Sequence, residues 1–255
     1  MRREGALEGA LMPRWPAGAG VGALMSTRAG GVSGGPWRSL NLGDAVGDEP
    51  IAVAENRRRF EAELGVPAVY LRQVHGAHVV RLAAADTRRG EAIEADAAVT
   101  TVAGLACAVQ VADCLPVLFA APDGRGVGAA HAGWRGLAGG VLEATVTVLC
   151  AAAACEPQSL VAWLGPCIGP RQFEVGAEVV AAFGDSPHFV PRPRADGSMR
   201  WLADLPALAR DRLQAAGVVQ ISGGAWCTVE DASRFFSFRR DGVTGRMAAA
   251  VWLLD

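Results

Sequence analysis

The chain has 255 residues, about half of them hydrophobic (51%) and a fifth charged (20%), with a formal net charge of −2 at pH 7. These proportions exclude an intrinsically disordered chain and a coiled coil, and near-neutrality excludes a broad electrostatic footprint for nucleic acid or an anionic membrane. All 24 basic residues are arginine, so no lysine exists to form a Schiff base, complete a P-loop or act as a general base.

Residues 1–20, rich in Gly, Ala and Pro, read as a poorly ordered extension, and residues 21–255 as one domain. Val21–Met25 is a first strand, running into a glycine-rich loop over 27–36. Asp48 is expected to cap a helix with Pro50 in its first turn, stopped near Leu64 by Gly65 and Pro67. Short strands are expected over 68–74, 77–82 and 96–101. Buried strand segments follow at 107–112, 115–121 and 127–131, with Asp113-Cys114 and the turn Pro122-Asp123-Gly124 between them. Residues 133–136 open a helix that runs to about 153. A strand at 161–165, helices at 174–183 and 204–216, and strands at 218–222 and 247–253 complete the chain. Strands and helices mix without strict alternation, which predicts α+β.

The cysteines at 107, 114, 150, 155, 167 and 227 form no C-x-x-C pair. With no apolar signal core after the first residues, they are expected to be reduced and the protein cytoplasmic. The most apolar stretch, 105–122, is broken by Gln110 and Asp113, so no membrane span is predicted.

Chemistry concentrates at three residues that end apolar runs beside Gly or Pro: His75, Cys114 and His131. Two imidazoles and a thiolate suit Zn²⁺ and leave a fourth position open; a buried cysteine with two satisfied histidines is the other reading of the same residues. Arg135 stands where a helix begins after His131, a place for phosphate or another anion; the competing reading is a solvated Arg at a glycine-assisted turn. Arg28 in the glycine-rich loop and Arg239-Arg240 after an aromatic pair are further anion candidates. Cys167 sits in a constrained turn. His78 and His188 read as surface residues, and Glu91, Glu94 and Asp96 as a solvated acidic loop.

Six segments in order, TRAGGVSGGPWRSLNLG, LRQVHG, ADCLPVLFA, AAHAGWRGL, LGPCIGPRQFEVG and RFFSFRRDGVTGRMAA, resemble the YfiH or laccase-domain family. The resemblance implies a four-layer α-β-β-α sandwich with mixed sheets, similar to the catalytic domain of the cytotoxic necrotizing toxins. It implies zinc on His75, Cys114 and His131, and phosphorolysis of adenosine, inosine and methylthioadenosine, with adenosine deamination as an accompanying activity. Purine nucleosides and phosphate are then the partners of a monomeric enzyme. Cys114 and His131 become catalytic, with Asp113 and Cys167 as proton-shuttle candidates. Arg28, Asn41, Gln73, Arg135 and Arg239 are the substrate-binding candidates. Phe238 stands where the family usually has Tyr, and Phe173 also lacks a hydroxyl sometimes present.

Two other enzyme classes fit parts of the pattern. Cys114 with His131 would serve a cysteine amide hydrolase acting on cell-wall precursors. Four histidines are too few for the clusters of a conventional multicopper oxidase, which leaves only weak copper chemistry in vitro. A non-enzymatic binding module is the remaining class.

Overall fold

A computed structural model describes residue 7 and residues 9–88 and 92–254. Of the N-terminal stretch expected to be poorly ordered, residues 1–6 and 8 lie outside these, as does Glu91. From Gly9 the chain lies along the fold: Leu11 bridges to Met25, and Leu11 and Trp15 pack on the core.

In chain order the elements are β1 (Val21–Met25), α1 (Pro50–Leu64), β2 (Ala68–Arg72), β3 (Val79–Arg81), β4 (Ile93–Glu94) and β5 (Ala97–Thr100). The middle holds β6 (Ala106–Val111), β7 (Leu115–Ala120), β8 (Val127–Ala132), α2 (Trp134–Ala138), α3 (Val141–Ala153) and β9 (Val161–Leu164). Then come β10 (Glu174–Val175), α4 (Ala177–Phe183), β11 (Phe189–Pro193), β12 (Met199–Ala203), α5 (Leu205–Ala215), β13 (Gln220–Gly223), α6 (Phe238–Asp241) and β14 (Met247–Leu253).

The strands form a five-stranded sheet in the order β1-β14-β6-β2-β4, a six-stranded sheet in the order β13-β9-β7-β8-β5-β3, and a small sheet β10-β12-β11. Both large sheets mix parallel and antiparallel pairs, as β2–β6 and β6–β14 in the first show. Their strands are nearly continuous apolar runs because both faces are covered. Alternation along each strand then divides the core. Val69, Val109 and Val251 of the first sheet meet Leu118, Ala129 and Trp163 of the second. Ala108, Ala250 and Trp252 turn the other way, onto Phe60 and Leu64 of α1. Val117, Phe119 and Ala130 turn outward onto Val146 and Leu149 of α3 and Leu208 and Leu213 of α5. Among the described residues no helix is long and apolar enough to cross a membrane, and all six cysteines are free.

Several local expectations change. Glu49, not Asp48, is the N-cap of α1, and no side chain caps it. Asp48 instead accepts hydrogen bonds from Ser33 Oγ at 2.6 Å and Asn41 Nδ2 at 2.9 Å, tying the glycine-rich loop to the segment before the helix. The helix expected from 133 to 153 is two helices, because Gly140 adopts φ 90° between α2 and α3. In the 174–183 stretch Glu174 and Val175 pair with β12, and the helix starts only after Gly176.

Candidate metal centre and active site

His75, Cys114 and His131 converge at one end of the two large sheets, and their ligand atoms all lie within 4.8 Å of one another. His75 follows β2 in the first sheet, His131 is in β8 of the second, and Cys114 lies on the crossing from β6 to β7. Cys114 Sγ is 3.8 Å from His75 Nε2, and the two imidazole rings meet edge-on with centroids 4.8 Å apart. Gly133 makes room for this: a Cβ there would come within 2.9 Å of His75 Cδ2 and 3.0 Å of Cys114 Sγ.

One carboxylate organises the three. Asp96, fully buried, accepts the backbone N–H of Val74, His75 and Gly76 at 3.2, 2.9 and 2.7 Å. These bonds fix a turn in which His75 has φ 61°. Its Oδ1 also faces His131 Nδ1 at 2.8 Å, so the Nδ1–H donates to it and Nε2 is the ring nitrogen that could hold a metal. Burial pushes the Asp96 carboxyl up, but the bonds from His131 and the amides outweigh it and hold it below its ordinary value. The expectation of a solvated acidic loop therefore fails at Asp96. What the local sequence lacks is any trace of the amides that satisfy the carboxylate, which come from residues 74–76.

The thiol and imidazole shift each other. Burial would raise the Cys114 pKa, yet His131, with a smaller effect from His75, brings it down to about 6. Burial would lower His131, yet the Cys114 charge and the Asp96 bond bring it up to about 9. Both shifts favour the thiolate–imidazolium form of the pair.

Two clefts adjoin the site and share His75, Ala112, Cys114 and Phe238. The smaller, about 300 Å³, has Trp134, Arg135, Phe173 and Arg239 on its wall. Arg135 stacks on Trp134 at 4.3 Å, and its guanidinium meets no hydrogen-bond or ion-pair partner among the described residues. The Arg239 amide donates to Asp113 Oδ2 at 2.6 Å, and its Nη1 to Glu174 O at 3.0 Å. The other Asp113 oxygen accepts from Thr228 Oγ1 at 2.5 Å. The larger cleft, about 520 Å³, is walled by residues 43–46, Arg57, Tyr70, Gln73 and Arg246.

The remaining candidates are placed differently. Arg28 lines neither cleft; its guanidinium is used on Arg38 O and Ala232 O at 3.0 to 3.1 Å and lies over Phe236, so it braces loops instead of meeting an anion. Asn41 is fully buried and bonded to Gly43, Asp48 and the Arg246 amide at 2.8 to 3.0 Å. It shapes the larger cleft from behind without touching its contents. Gln73 lies on that wall, where its amide clamps the backbone of Gln110 at 2.7 and 2.9 Å. Cys167 is fully buried, donates to Ile168 O at 3.4 Å, and burial pushes its thiol well up; it stays neutral and outside both clefts. The Arg135 expectation also loses its long helix, because α2 has only five residues.

Comparison with known proteins places the chain in a family. The family described as multi-copper polyphenol oxidoreductase laccase matches residues 22–254. A purine nucleoside phosphorylase of Pseudomonas aeruginosa is 50% identical over 96% of this chain and 98% of its own length. The purine nucleoside phosphorylase YfiH of Escherichia coli is 48% identical over 96% and 98%. The crystal structure of a Neisseria meningitidis protein of the DUF152 family superposes with a TM-score of 0.88 at 47% identity, covering 96% of this chain and 99% of that one. By coverage, identity and fold, the chain belongs to the YfiH (DUF152, laccase-domain) family.

Proposed function

We propose that the protein is a zinc-dependent purine nucleoside phosphorylase of the cytoplasm, one catalytic domain over 21–255 acting as a monomer on adenosine, inosine and methylthioadenosine. The observation that carries this reading is the convergence of His75, Cys114 and His131 beside a cleft where the Arg135 guanidinium has no hydrogen-bond or ion-pair partner among the described residues. The donor set fits zinc: two imidazoles and a thiolate, with His131 oriented by a buried carboxylate. Bound there, zinc would supply Lewis-acid polarisation. In the same reading the layers stack α-β-β-α, with kinship to the toxin catalytic domain.

The chain's own residues divide the rest of the work. Arg135 and Arg239 face the phosphate with fixed positive charge. Asp113 acts on Arg239 through its backbone amide and serves as a positioning residue, with both oxygens engaged. HPO₄²⁻ contributes an oxygen to C1′ of the ribose, the C1′–N9 bond breaks with its electron pair going to the purine, and the phosphate's proton ends on the base. The described residues contain one group of three or more potential metal ligands drawn from His, Cys, Asp and Glu, so the copper clusters suggested by the family's description have no ligand set in them. The depressed Cys114 thiol supports a second reading, an amide hydrolase with Cys114 as nucleophile and His131 as base.

Metal content and products decide between them. The purified protein should carry about one zinc per chain, lose most of it in Cys114→Ser and His131→Ala, and convert inosine plus phosphate to hypoxanthine and ribose 1-phosphate. Adenosine assayed in parallel reports deamination as inosine. Full zinc retention in both variants would overturn the metal assignment. Phosphate-independent amide cleavage blocked by thiol alkylation, with no phosphorolysis, would favour the hydrolase.

A further inference from the structure

We infer that the two clefts divide the substrates, the larger taking the purine nucleoside and the smaller taking phosphate. This rests on the phosphorylase reading and goes beyond it by giving each substrate its own wall. Displacement at C1′ brings the nucleophile to the sugar on the side away from the departing base. A site for this reaction needs two compartments that meet at the sugar, and here two clefts meet at His75, Ala112, Cys114 and Phe238.

Charge tells the compartments apart. In the smaller cleft the Arg135 guanidinium, stacked on Trp134, has no hydrogen-bond or ion-pair partner among the described residues, so its positive charge is available to a dianion. The larger cleft has its cations engaged. Arg57 is paired with Asp44 at 3.0 Å and bonded to Leu42 O at 3.0 Å, Arg72 is paired with Glu94 at 2.6 Å, and Arg246 Nη1 holds the carbonyls of Thr244 and Gly245 at 3.1 Å. Such a wall suits an uncharged ligand, and a cleft of about 520 Å³ is of small-molecule size.

Two further observations point to a nucleoside. Tyr70, on the larger cleft's wall, has a buried hydroxyl with no hydrogen-bond partner among the described residues. An orphaned hydroxyl of this kind costs about 1–3 kcal/mol, and a nucleoside brings ring nitrogens and hydroxyls that could satisfy it. Phe238, 58% exposed at the shared wall, offers an aromatic face on which a purine or the sugar can rest.

The test is a crossed pair of variants. Ala45 is exposed on the wall of the larger cleft, and Ala45→Trp narrows that cleft alone. It should raise the KM for inosine at least tenfold and leave the KM for phosphate within twofold. Arg135→Ala should do the opposite, raising the phosphate KM on the order of a hundredfold. Calorimetry with inosine and no phosphate should show binding retained in Arg135→Ala and lost in Ala45→Trp. Zinc content and circular dichroism check folding, and Ala92→Trp on the same wall replaces Ala45→Trp if that variant does not fold. A raised phosphate KM in Ala45→Trp, or unchanged inosine binding, would overturn the division. No phosphorolysis by the unmodified protein would overturn the phosphorylase reading itself, and the division with it.

Discussion

Asp96 spends its carboxylate on the turn that presents His75 and on the ring of His131. The three candidate ligands were legible in the sequence because each ends an apolar run beside Gly or Pro. Asp96 was not legible, since a carboxylate in EAIEAD looks solvated until residues from another sheet supply its partners. Arg28 failed for the reverse reason. A glycine-rich loop with one arginine resembles an anion cradle, but the carbonyls of Arg38 and Ala232 occupy the guanidinium. In Asp96→Asn the new amide would present an N–H toward His131 Nδ1 and favour the tautomer that blocks Nε2. Zinc affinity should fall about 10- to 100-fold, as read by competition with a chromophoric chelator; unchanged affinity would show that Asp96 does not set the tautomer.

Elements that are apolar on both faces follow their sequence closely. The edges of β1 and β14 fall where the hydrophobic runs begin and end. The hairpin β11–β12 left no such signal, because Pro191, Arg192, Pro193 and Arg194 break any alternation. It forms because Phe189 and Trp201 lean on the core while Arg194 pairs with Glu174. At the α2–α3 junction the glycine pair was present in the sequence, but apolar periodicity on both sides concealed the break. Gly140→Ala isolates its backbone cost, because a Cβ there meets nothing closer than Glu143 Oε2 at 3.8 Å while φ stays at +90°. The loss should be about 1–2 kcal/mol, or a melting temperature lower by roughly 2–8 °C, with zinc content unchanged. Calorimetry showing no shift would mean that the junction adapts to a side chain.

Across the whole molecule, the candidate ligands are divided between sheets that touch through an apolar interior. Trp163, 1% exposed, fills that interior from the second sheet and packs against Trp226 with centroids 5.7 Å apart. Trp163→Leu should cost about 3 kcal/mol by opening a cavity, measured by urea unfolding. It should also weaken zinc binding severalfold, although Trp163 is not one of the three ligands. Normal zinc affinity in a destabilised Trp163→Leu protein would show that the site is held by its local turns alone.

That division makes the centre a gauge of how the two sheets sit on each other. One candidate ligand follows a strand of the first sheet, one lies in a strand of the second, and the third sits on the loop crossing between them, so a small slide of one layer over the other would alter the angles at a bound ion before any strand separates. Cobalt substituted for zinc would report that slide as a change in colour.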